Sequence, residues 1–444
     1  MVPPFDVSRE DNTIATSGRL NVDAVHFFVA ALRDLEARGY EDGILDFRKC
    51  ESAFPDGIVP VAAITDSWRR RRFKFELQLP EDERLARLFV NTNLAHFIQP
   101  GTYPLQHEPR AKHVPIRRFE TLKEQVAGVA EFVEVAMRTT VLPRDVLQGL
   151  EWSLNEIMDN VLNHAQAAGG GFVQATTTED RISFTVADAG IGILASLREG
   201  YPSLRLDTEA IGEAIKAGVT RNPEKGQGNG LAGTLNIATQ TGGSFTLISG
   251  QGALTVFHDP KGEGLNSVRR AYPVEQAVPG TMVGAQILRN PDFRMERALG
   301  FTKMTGGVYD LIEARDETAT GSTFVLKLAD ETTGFGSRES GRQVRTKCLT
   351  LLSADPTKPL VLDWTGVPIV SSSFADEAIG KLFVALGPLG FTARVRVVKV
   401  ENLVRQLIDK AIMQRMAQTS QQLSKSQTGP IISSVDEDMG HTEA

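Results

Sequence analysis

A polar stripe on one helix constrains this chain more than any other feature. Residues 155–165 read NEIMDNVLNHA, and Glu156, Asn160 and His164 recur every four residues. We expect the helix to begin at Pro143, because apolar residues then follow at helical spacing: Val146, Leu147, Leu150, Leu154, Ile157, Met158 and Val161. At about 100° per residue, Glu156 and Asn160 lie beside the apolar face and can line a cleft next to the core. A solvated helix surface is the alternative.

A hairpin and a glycine pattern follow this helix. Residues 173–177 and 182–186 alternate in polarity, which predicts two paired strands. The second strand continues into Asp188, Gly190 and Gly192. A carboxylate at a strand end can accept a hydrogen bond from an amino group, and the glycines let the backbone approach a flat ligand.

A second glycine pattern lies beyond a long polar stretch, residues 198–225, which we expect to be a lid. Gly226, Gly228 and Gly230 precede the next helix, and backbone amides at such a position favour phosphate. A glycine loop alone is more often structural. The order of the parts is more informative, because a polar helix, a strand ending in DxGxG, a lid and a glycine loop form one coherent series.

This series resembles the GHKL superfamily of ATP-binding domains over about residues 117–290, and most closely the anti-sigma-factor serine kinases. The resemblance implies a two-layer α/β sandwich that binds ATP and Mg²⁺. It implies that Asn160 holds Mg²⁺, that Glu156 orients or deprotonates the attacking group, and that Asp188 binds the adenine amino group. It also implies that the phosphates are bound by Gly226, Gly228 and Gly230. The adenine pocket would be shaped by Gly190 and Gly192.

Elementary chemistry agrees with these roles. Mg²⁺ takes oxygen ligands, often only one or two from protein, and an asparagine carbonyl is suitable. A carboxylate one turn from Asn160 can act as a base on water or on a hydroxyl. Arg221 and Lys225 are the cations expected nearest the γ-phosphate, with solvated surface charges as the alternative. His164 assists near the phosphates or is an ordinary helix-surface residue.

Other members of the superfamily fit less well. A histidine kinase needs a phosphoaccepting histidine on a helix, but His107-Glu108 is followed by Pro109, which breaks helices. The region after residue 320 does not look like the transducer domain of a gyrase or MutL protein.

The C-terminal region instead resembles STAS-like domains, which bacteria fuse to ATP-binding modules. Residues 359–386 predict a buried strand, a turn and a helix, and Ser371, Ser372 and Ser373 stand at the turn. The resemblance makes these serines candidate phosphoacceptors, with Ser372 slightly favoured. Helix capping is the alternative, with Ser373 and Asp376 as an S-x-x-D box.

The fold class expected is therefore α/β (α+β), a central GHKL sandwich flanked by STAS-like α/β domains. Residues 44–57 resemble residues 361–374, and Asp46 aligns with Asp363, so the first block is a candidate degenerate repeat. The predicted divisions are an STAS-like or degenerate domain at 1–103, a linker at 104–116, the GHKL domain at 117–290, a connector at 291–320, an STAS-like domain at 321–417 and a disordered tail at 418–444.

Bulk properties limit the partners. The 48 basic residues against 55 acidic ones give a net charge of −7, which makes nucleic acid an improbable ligand. The basic run 68–80 is expected to be a solvated edge strand, with a phosphate-binding patch as the alternative. No apolar run approaches the roughly 20 residues of a membrane span, so a cytoplasmic location is expected. Cys50 and Cys348 form no CxxC pair and are expected to be reduced structural thiols.

The sequence thus predicts a bacterial regulator in which ATP at the central domain controls STAS-like domains through phosphorylation or conformational change. A protein partner is expected at those domains, and a homodimer stays open. The alternative function is a nucleotide-gated scaffold that binds ATP without turnover.

Overall fold

The computed structural model describes residues 5–109, 112–216, 230–259, 264–299, 323–332, 335, 337–368 and 370–427. The chain divides into two compact units. The first contains residues 1–317 with 353–356, and the second contains residues 318–352 with 357–444. We call residues 5–109 the first region and residues 112–299 the middle region; both belong to the first unit.

The first region is an α/β fold with a mainly parallel sheet. Its strands lie in the order β1-β2-β3-β5, with β4 paired to β2, and only the β1–β2 pair is antiparallel. The elements are β1 (Phe5–Glu10), β2 (Thr13–Leu20), α1 (Val22–Ala37), β3 (Asp42–Asp46), β4 (Cys50–Ala53), α2 (Pro55–Arg70), β5 (Lys74–Gln78), α3 (Glu83–Asn91) and α4 (Leu94–Ile98).

The basic run differs from its prediction. Trp68, Arg69 and Arg70 form the last turn of α2, and only Lys74–Gln78 is an edge strand. Asp66, one turn earlier, pairs with both arginines, at 3.4 Å from Arg69 Nη1 and 2.7 Å from Arg70 Nε. The helical spacing of Asp66 from Arg69 and Arg70 therefore favours a helix at the start of the run. The strand-like alternation applies only to the residues that follow.

The middle region is a seven-stranded antiparallel sheet in the order β11-β10-β9-β12-β8-β7-β6. Its elements are β6 (His113–Phe119), α5 (Leu122–Thr139), α6 (Arg144–Asn160), β7 (Gly171–Thr177), β8 (Arg181–Asp188), α7 (Gly192–Leu197), α8 (Asp207–Ala214), α9 (Gly230–Gln240), β9 (Ser244–Gly250), β10 (Gly252–His258), β11 (Leu265–Ala271), β12 (Val278–Leu288) and α10 (Met295–Leu299).

Both faces of this sheet are covered. Helices α5, α6 and α9 pack together, and α9 also contacts β9 and β12. Helix α2 of the first region contacts β7, β8 and β12, and the first-region core continues into sheet side chains. Those sheet residues include Phe172, Ala187, Ile248 and Met282. The first and middle regions therefore share one hydrophobic core.

The predicted lid is partly ordered structure. Helix α8 lies inside it, and Ala210 and Ile211 are buried there. The Asp207 carboxylate accepts a hydrogen bond from Gln251 N at 3.0 Å, which fixes the start of α8 to the β9–β10 turn. Residues 217–225 of the lid, which include Arg221 and Lys225, lie outside the described residues.

The second unit contains a three-stranded parallel sheet in the order β13-β14-β15. Its elements are β13 (Phe324–Lys327), α11 (Leu328–Glu331), α12 (Arg338–Ala354), β14 (Leu360–Asp363), α13 (Ser372–Ala375), a π-helical turn (Asp376–Gly380), α14 (Lys381–Arg394), β15 (Val395–Val398) and α15 (Asn402–Gln427). Helix α15 corrects the predicted tail, because it continues ten residues beyond 417. Residues 428–444 lie outside the described residues.

The first region and the second unit repeat one backbone hydrogen bond, whose donors lie 317 residues apart and whose acceptors lie 320 apart. Phe47 N donates to Gln78 O at 3.0 Å, and Trp364 N donates to Val398 O at 3.1 Å. The Asp46 and Asp363 side chains each accept from the backbone N–H two residues on, at 3.0 and 2.9 Å. Helix α2 begins at Pro55 and α13 begins at Ser372, which is the same offset.

Candidate functional site

Helix α6 places the polar stripe beside the core, as its spacing predicts. Residues on the apolar face such as Leu150, Leu154 and Ile157 are buried, whereas Glu156 and Asn160 are half-buried. Burial is the main cause that raises the pKa of Glu156, and the charge of Asp159 adds to it. Glu156 is thus a carboxylate whose proton affinity has moved toward neutral pH, as a general base requires.

The start of α9 meets this stripe. A Cβ atom at Gly230 would lie 2.7 Å from Glu156 Oε2 and 3.4 Å from Asn160 Nδ2. Gly230 therefore lies directly against the helix stripe although it is 70 residues from Asn160 in sequence, and a side chain at 230 would fill the space beside Glu156. Gly226, Gly228 and Lys225 lie outside the described residues, so their predicted contacts with phosphate stay predictions.

Asp188 ends β8 as a buried carboxylate. Its Oδ1 accepts a hydrogen bond from Gly190 N at 2.8 Å. Burial raises the pKa of Asp188 to about 7, although the backbone N–H groups of Gly190 and Thr281 lower it in part. An acceptor that is this poorly hydrated gains most from a ligand that donates a hydrogen bond.

Several residues near Asp188 are glycines, because the backbone there lies too close to neighbouring atoms to leave room for a side chain. A Cβ atom at Gly190 would lie 2.0 Å from Ala165 O, and one at Gly280 would lie 2.4 Å from Asp188 Oδ1. Gly192 and Gly280 have φ values of +76° and +73°, which favour glycine. Gly190, Gly192 and Gly280 thus all mark close backbone approaches near Asp188, and the predicted role of the first two in shaping a nucleotide pocket stays a prediction.

A π-helical turn joins the two halves of the site. Residues Val161–Ala165 continue α6 in this conformation and end at Gln166, which has a left-handed backbone. The turn presents Ala165 O, which accepts a hydrogen bond from Ile191 N at 2.8 Å. The helix bearing Asn160 is thereby tied to the loop bearing Gly190. His164 lies half-buried in the turn.

Three functional candidates escaped the sequence prediction. Gly280 and Thr281 lie at an irregularity in β12, where pairing with β9 shifts between Val278 and Thr281. The Pro-Gly pair inside a strand pattern was a signal for such a bulge. Ser249 on β9 is fully buried beneath them and had no signal in sequence.

The three serines of the second unit stand at the start of α13. Ser371 Oγ accepts a hydrogen bond from Phe374 N at 3.0 Å, so this serine caps the helix. Capping was the alternative interpretation for these serines, and Ser371 has that role. The side chains of Ser372 and Ser373 lie outside the described residues.

The oxygen ligands fit Mg²⁺ held mainly by a nucleotide. Within the described ranges, no three His, Cys, Asp or Glu side chains gather as a metal cluster. Asn160 would supply one carbonyl beside Glu156, and one protein ligand is typical of Mg²⁺ bound through substrate phosphates. No helix among the described residues is long and apolar enough to cross a bilayer.

The fold and the site define an ATPase domain of the GHKL type. Residues 146–263 match the family model of histidine kinase-, DNA gyrase B- and HSP90-like ATPases, and residues 340–405 match that of a STAS-like domain of unknown function. Both predicted resemblances, and the α/β fold class, are confirmed. No curated protein matches the chain significantly. This combination of domains is that of a nucleotide-binding regulatory protein.

Proposed function

We propose that the middle region binds Mg-ATP and acts as an ATPase or protein-serine kinase that controls the two flanking α/β regions. The observation that carries the proposal is the approach of Gly230 to Glu156 and Asn160. It brings the start of a glycine-loop helix against a base and an oxygen ligand. The buried Asp188 carboxylate supplies an acceptor for an adenine amino group.

The catalytic roles follow from position. Glu156 would take the proton of the attacking hydroxyl or water, because burial has raised its pKa. Asn160 would hold Mg²⁺, whose chemistry is to neutralise phosphate charge when it is bound. Gly190 and Gly192 would let the loop backbone lie flat against the base.

Incubation with ATP labelled at the γ-phosphate tests the reaction. Release of labelled phosphate indicates an ATPase, and labelled protein indicates a kinase. Glu156→Gln should retain ATP binding and lose about 10²–10⁴-fold in rate. Asp145→Asn, on the first turn of the same helix, is the matched control and should retain the rate. ATP binding without either product would support the nucleotide-gated scaffold instead.

Asp188→Asn tests the base pocket separately. The amide can present an NH₂ group where the adenine donor needs an acceptor, at a cost of about 1–3 kcal/mol in binding. Calorimetric titration with Mg-ATP measures this loss. An affinity equal to that of the parent would remove Asp188 from the adenine site.

We further propose that residues 5–109 are a diverged copy of the STAS-like domain. Support comes from the constant offset of 317 residues in strand-end turns and helix starts. Pro55 then corresponds to Ser372, so the first copy lacks that hydroxyl. The predicted domain divisions, a cytoplasmic location, a protein partner and a homodimer belong to the same proposal.

The second copy retains candidate phosphoacceptors at its helix start, where free amides and the positive helix end favour phosphate. The capping role of Ser371 leaves Ser372 and Ser373 as the better candidates. Mass spectrometry of the peptide spanning them, after incubation with Mg-ATP, tests this, with Glu156→Gln as control. ATP hydrolysis with no added phosphate would exclude a self-kinase.

A further inference from the structure

Strand β11 is an open edge of the middle-region sheet. Within the described residues it pairs only with β10, and every one of its residues is exposed. Two of them are large and apolar, Leu265 at 56% and Val268 at 40% exposure. The pairing with β10 is continuous along the whole strand, so neither a bulge nor a proline interrupts the edge. A long, regular edge strand with exposed apolar side chains is a template for another strand.

Two hydrogen bonds at the ends of the β10–β11 hairpin fix which backbone groups point outward. Asp259 N donates to Gly264 O at 2.9 Å, and Tyr272 N donates to Gln251 O at 2.8 Å. Because hydrogen-bonded and non-hydrogen-bonded pairs alternate along an antiparallel ladder, the even-numbered residues from 264 to 272 turn their N–H and C=O groups toward β10. The odd-numbered residues therefore turn theirs to the open edge: Leu265, Ser267, Arg269 and Ala271.

Two arginines on β11 limit what can pair with it. Arg270 faces the first region, where the Asp23 carboxylate of α1 binds its guanidinium. Arg269 lies on the other face of the strand, near α8, where a Cβ atom at Gly212 would lie 3.6 Å from Arg269 Nη1. Like charges directly opposite each other destabilise a sheet, so a pairing strand must place neutral residues opposite both arginines.

A second copy of β11 meets this condition in one register. A two-fold axis perpendicular to the sheet makes the strands antiparallel and keeps each residue on its own face, so the axis must pass through a residue. An axis at Arg269 would set two guanidinium groups opposite each other, and an axis at Ser267 would pair residues 265–269 alone. With the axis at Val268 the whole strand is paired. The pairs are then Val268 with its own copy, Leu265 with Ala271, Asn266 with Arg270, and Ser267 with Arg269.

In that register each strand satisfies the other. The outward-facing residues form hydrogen-bonded pairs, so their N–H and C=O groups all find partners. Val268 forms the non-hydrogen-bonded pair at the centre, where side chains approach most closely, and each valine covers the other.

We propose that β11 is the interface of a homodimer in which two middle-region sheets join into one continuous sheet across a two-fold axis at Val268. The occupant is a second copy of this chain, because its strand satisfies the outward backbone groups and the charge of Arg269 in a single register. This surface rests on the proposed function, since it names where the homodimer of that proposal forms. ATP binding does not depend on it, so the two can fail separately.

Sedimentation velocity of the full-length protein, at a series of micromolar concentrations, measures the dimer. Ser267→Pro removes an outward-facing N–H from each copy and keeps the pairing with β10, so the dimer dissociation constant should rise about tenfold. Val268→Asp should raise it at least as much, because two like charges then lie directly opposite each other. Leu122→Asp is the matched control, because Leu122 is 64% exposed on α5, which packs near the other edge of the sheet at β6. It should dimerise as the parent does.

A cysteine substitution tests the register. Val268→Cys places two thiols opposite each other in the closest kind of cross-strand pair, so mild oxidation should join the protomers covalently. Asn266→Cys lies on the same face but opposite Arg270 rather than its own copy, so it should stay unlinked. The native Cys50 and Cys348 are buried and do not compete.

A monomer at every concentration, or a dimer that survives both Ser267→Pro and Val268→Asp, would overturn this interface. Equal cross-linking of Val268→Cys and Asn266→Cys would overturn the register and the proposal with it. Binding of another protein's strand to β11 of a monomeric chain would assign the edge to that partner instead. Absence of ATP binding in a protein that dimerises as expected would overturn the proposed nucleotide site alone.

Discussion

The first region and the second unit share the same strand-turn-helix arrangement, but different elements pack over the helix in each of them. Helix α2 is buried on all sides from Gly57 to Asp66, because its own sheet lies on one side and the sheet of the middle region on the other. Near its end, Asp66 and Arg70 approach Gly169, where a Cβ atom would lie 3.0 and 3.1 Å from them.

The corresponding helix of the second unit is covered by α15. At the offset of 317, Asp376 and Gly380 match Val59 and Ala63, which share a helix face with Asp66. Arg415 of α15 binds the Asp376 carboxylate through two hydrogen bonds of 2.7 Å. A Cβ atom at Gly380 would lie 3.3 Å from both Ala411 O and Arg415 Cγ.

The difference shows that one strand-turn-helix arrangement can form a domain whose core needs another region, or a domain whose core is complete by itself. The second unit supplies its own cover with a helix added at its end. The first region uses the nucleotide-binding sheet, so its stability and that of the ATP site are joined through a common core. We therefore expect the first unit to unfold as one cooperative body, apart from the second unit.

A large-to-small substitution in the shared core should distinguish the unfolding transitions of the two units most clearly. Phe172 is 2% exposed and packs edge-on against Phe97, with ring centroids 5.0 Å apart. Phe172→Ala should cost about 3–5 kcal/mol and lower one transition that includes both the first and middle regions. Differential scanning calorimetry with hydrogen exchange measures it. Phe391→Ala, in the second unit, is the control and should lower only the other transition.

Acidity should affect the two units in opposite directions. The pKa of Asp188 is raised to about 7, so its carboxyl destabilises the first unit as pH rises from about 4 to 7, by up to about 4 kcal/mol. The hydroxyl and backbone N–H of Thr365 and the charge of Lys399 lower the pKa of Asp363 to about 2. That contribution to the second unit is present above about pH 4 and is lost as pH falls toward 2.

Melting temperatures of both transitions between about pH 2 and pH 7.5 test this contrast. Asp188→Asn should flatten the pH dependence of the first unit and leave that of the second unchanged. A first-unit transition with the same slope in parent and variant would contradict the assignment to Asp188.

Removal of the α15 contact should have a smaller effect. Arg415 and Asp376 are both partly buried, and Arg415→Ala leaves the carboxylate without this partner, at a cost of about 1–2 kcal/mol. Hydrogen exchange should then accelerate in α15. Arg342→Ala removes an exposed pair with Glu339 and should change exchange little. Equal exchange rates for both variants would mean that the ion pair does not hold α15.

A methyl group at Gly169 should have the smallest effect. It would press on the Asp66 and Arg70 side-chain ends, which can shift, so Gly169→Ala should cost under about 1 kcal/mol. Chemical denaturation measures the change. A loss of several kcal/mol would show that the junction between α2 and the loop after the π-helical turn is rigid.

Much of the site could be predicted from local patterns. The spacing of Glu156 and Asn160 along α6 and the end of β8 at Asp188 follow from periodicities of 3.6 and 2 residues. The turn shared by Asp46 and Asp363 could be detected because an Asp after an apolar strand hydrogen-bonds its own backbone. The π-helical turn at Val161–Ala165 could not, since its register depends on the contact between Ala165 O and Ile191 N.

The sequence by itself determined the order of the motifs, the two glycine patterns and the amphipathic helix, because these depend on residues within a few turns of each other. Only the tertiary structure decided that Ser249 lies beneath Thr281, that Gly230 meets Glu156, and that α2 rather than solvent covers the second face of the sheet. Strand β7 shows the reason. Its residues alternate as a half-exposed strand would, yet Phe172 and Val173 are both buried, because side chains from a distant region pack on the opposite face.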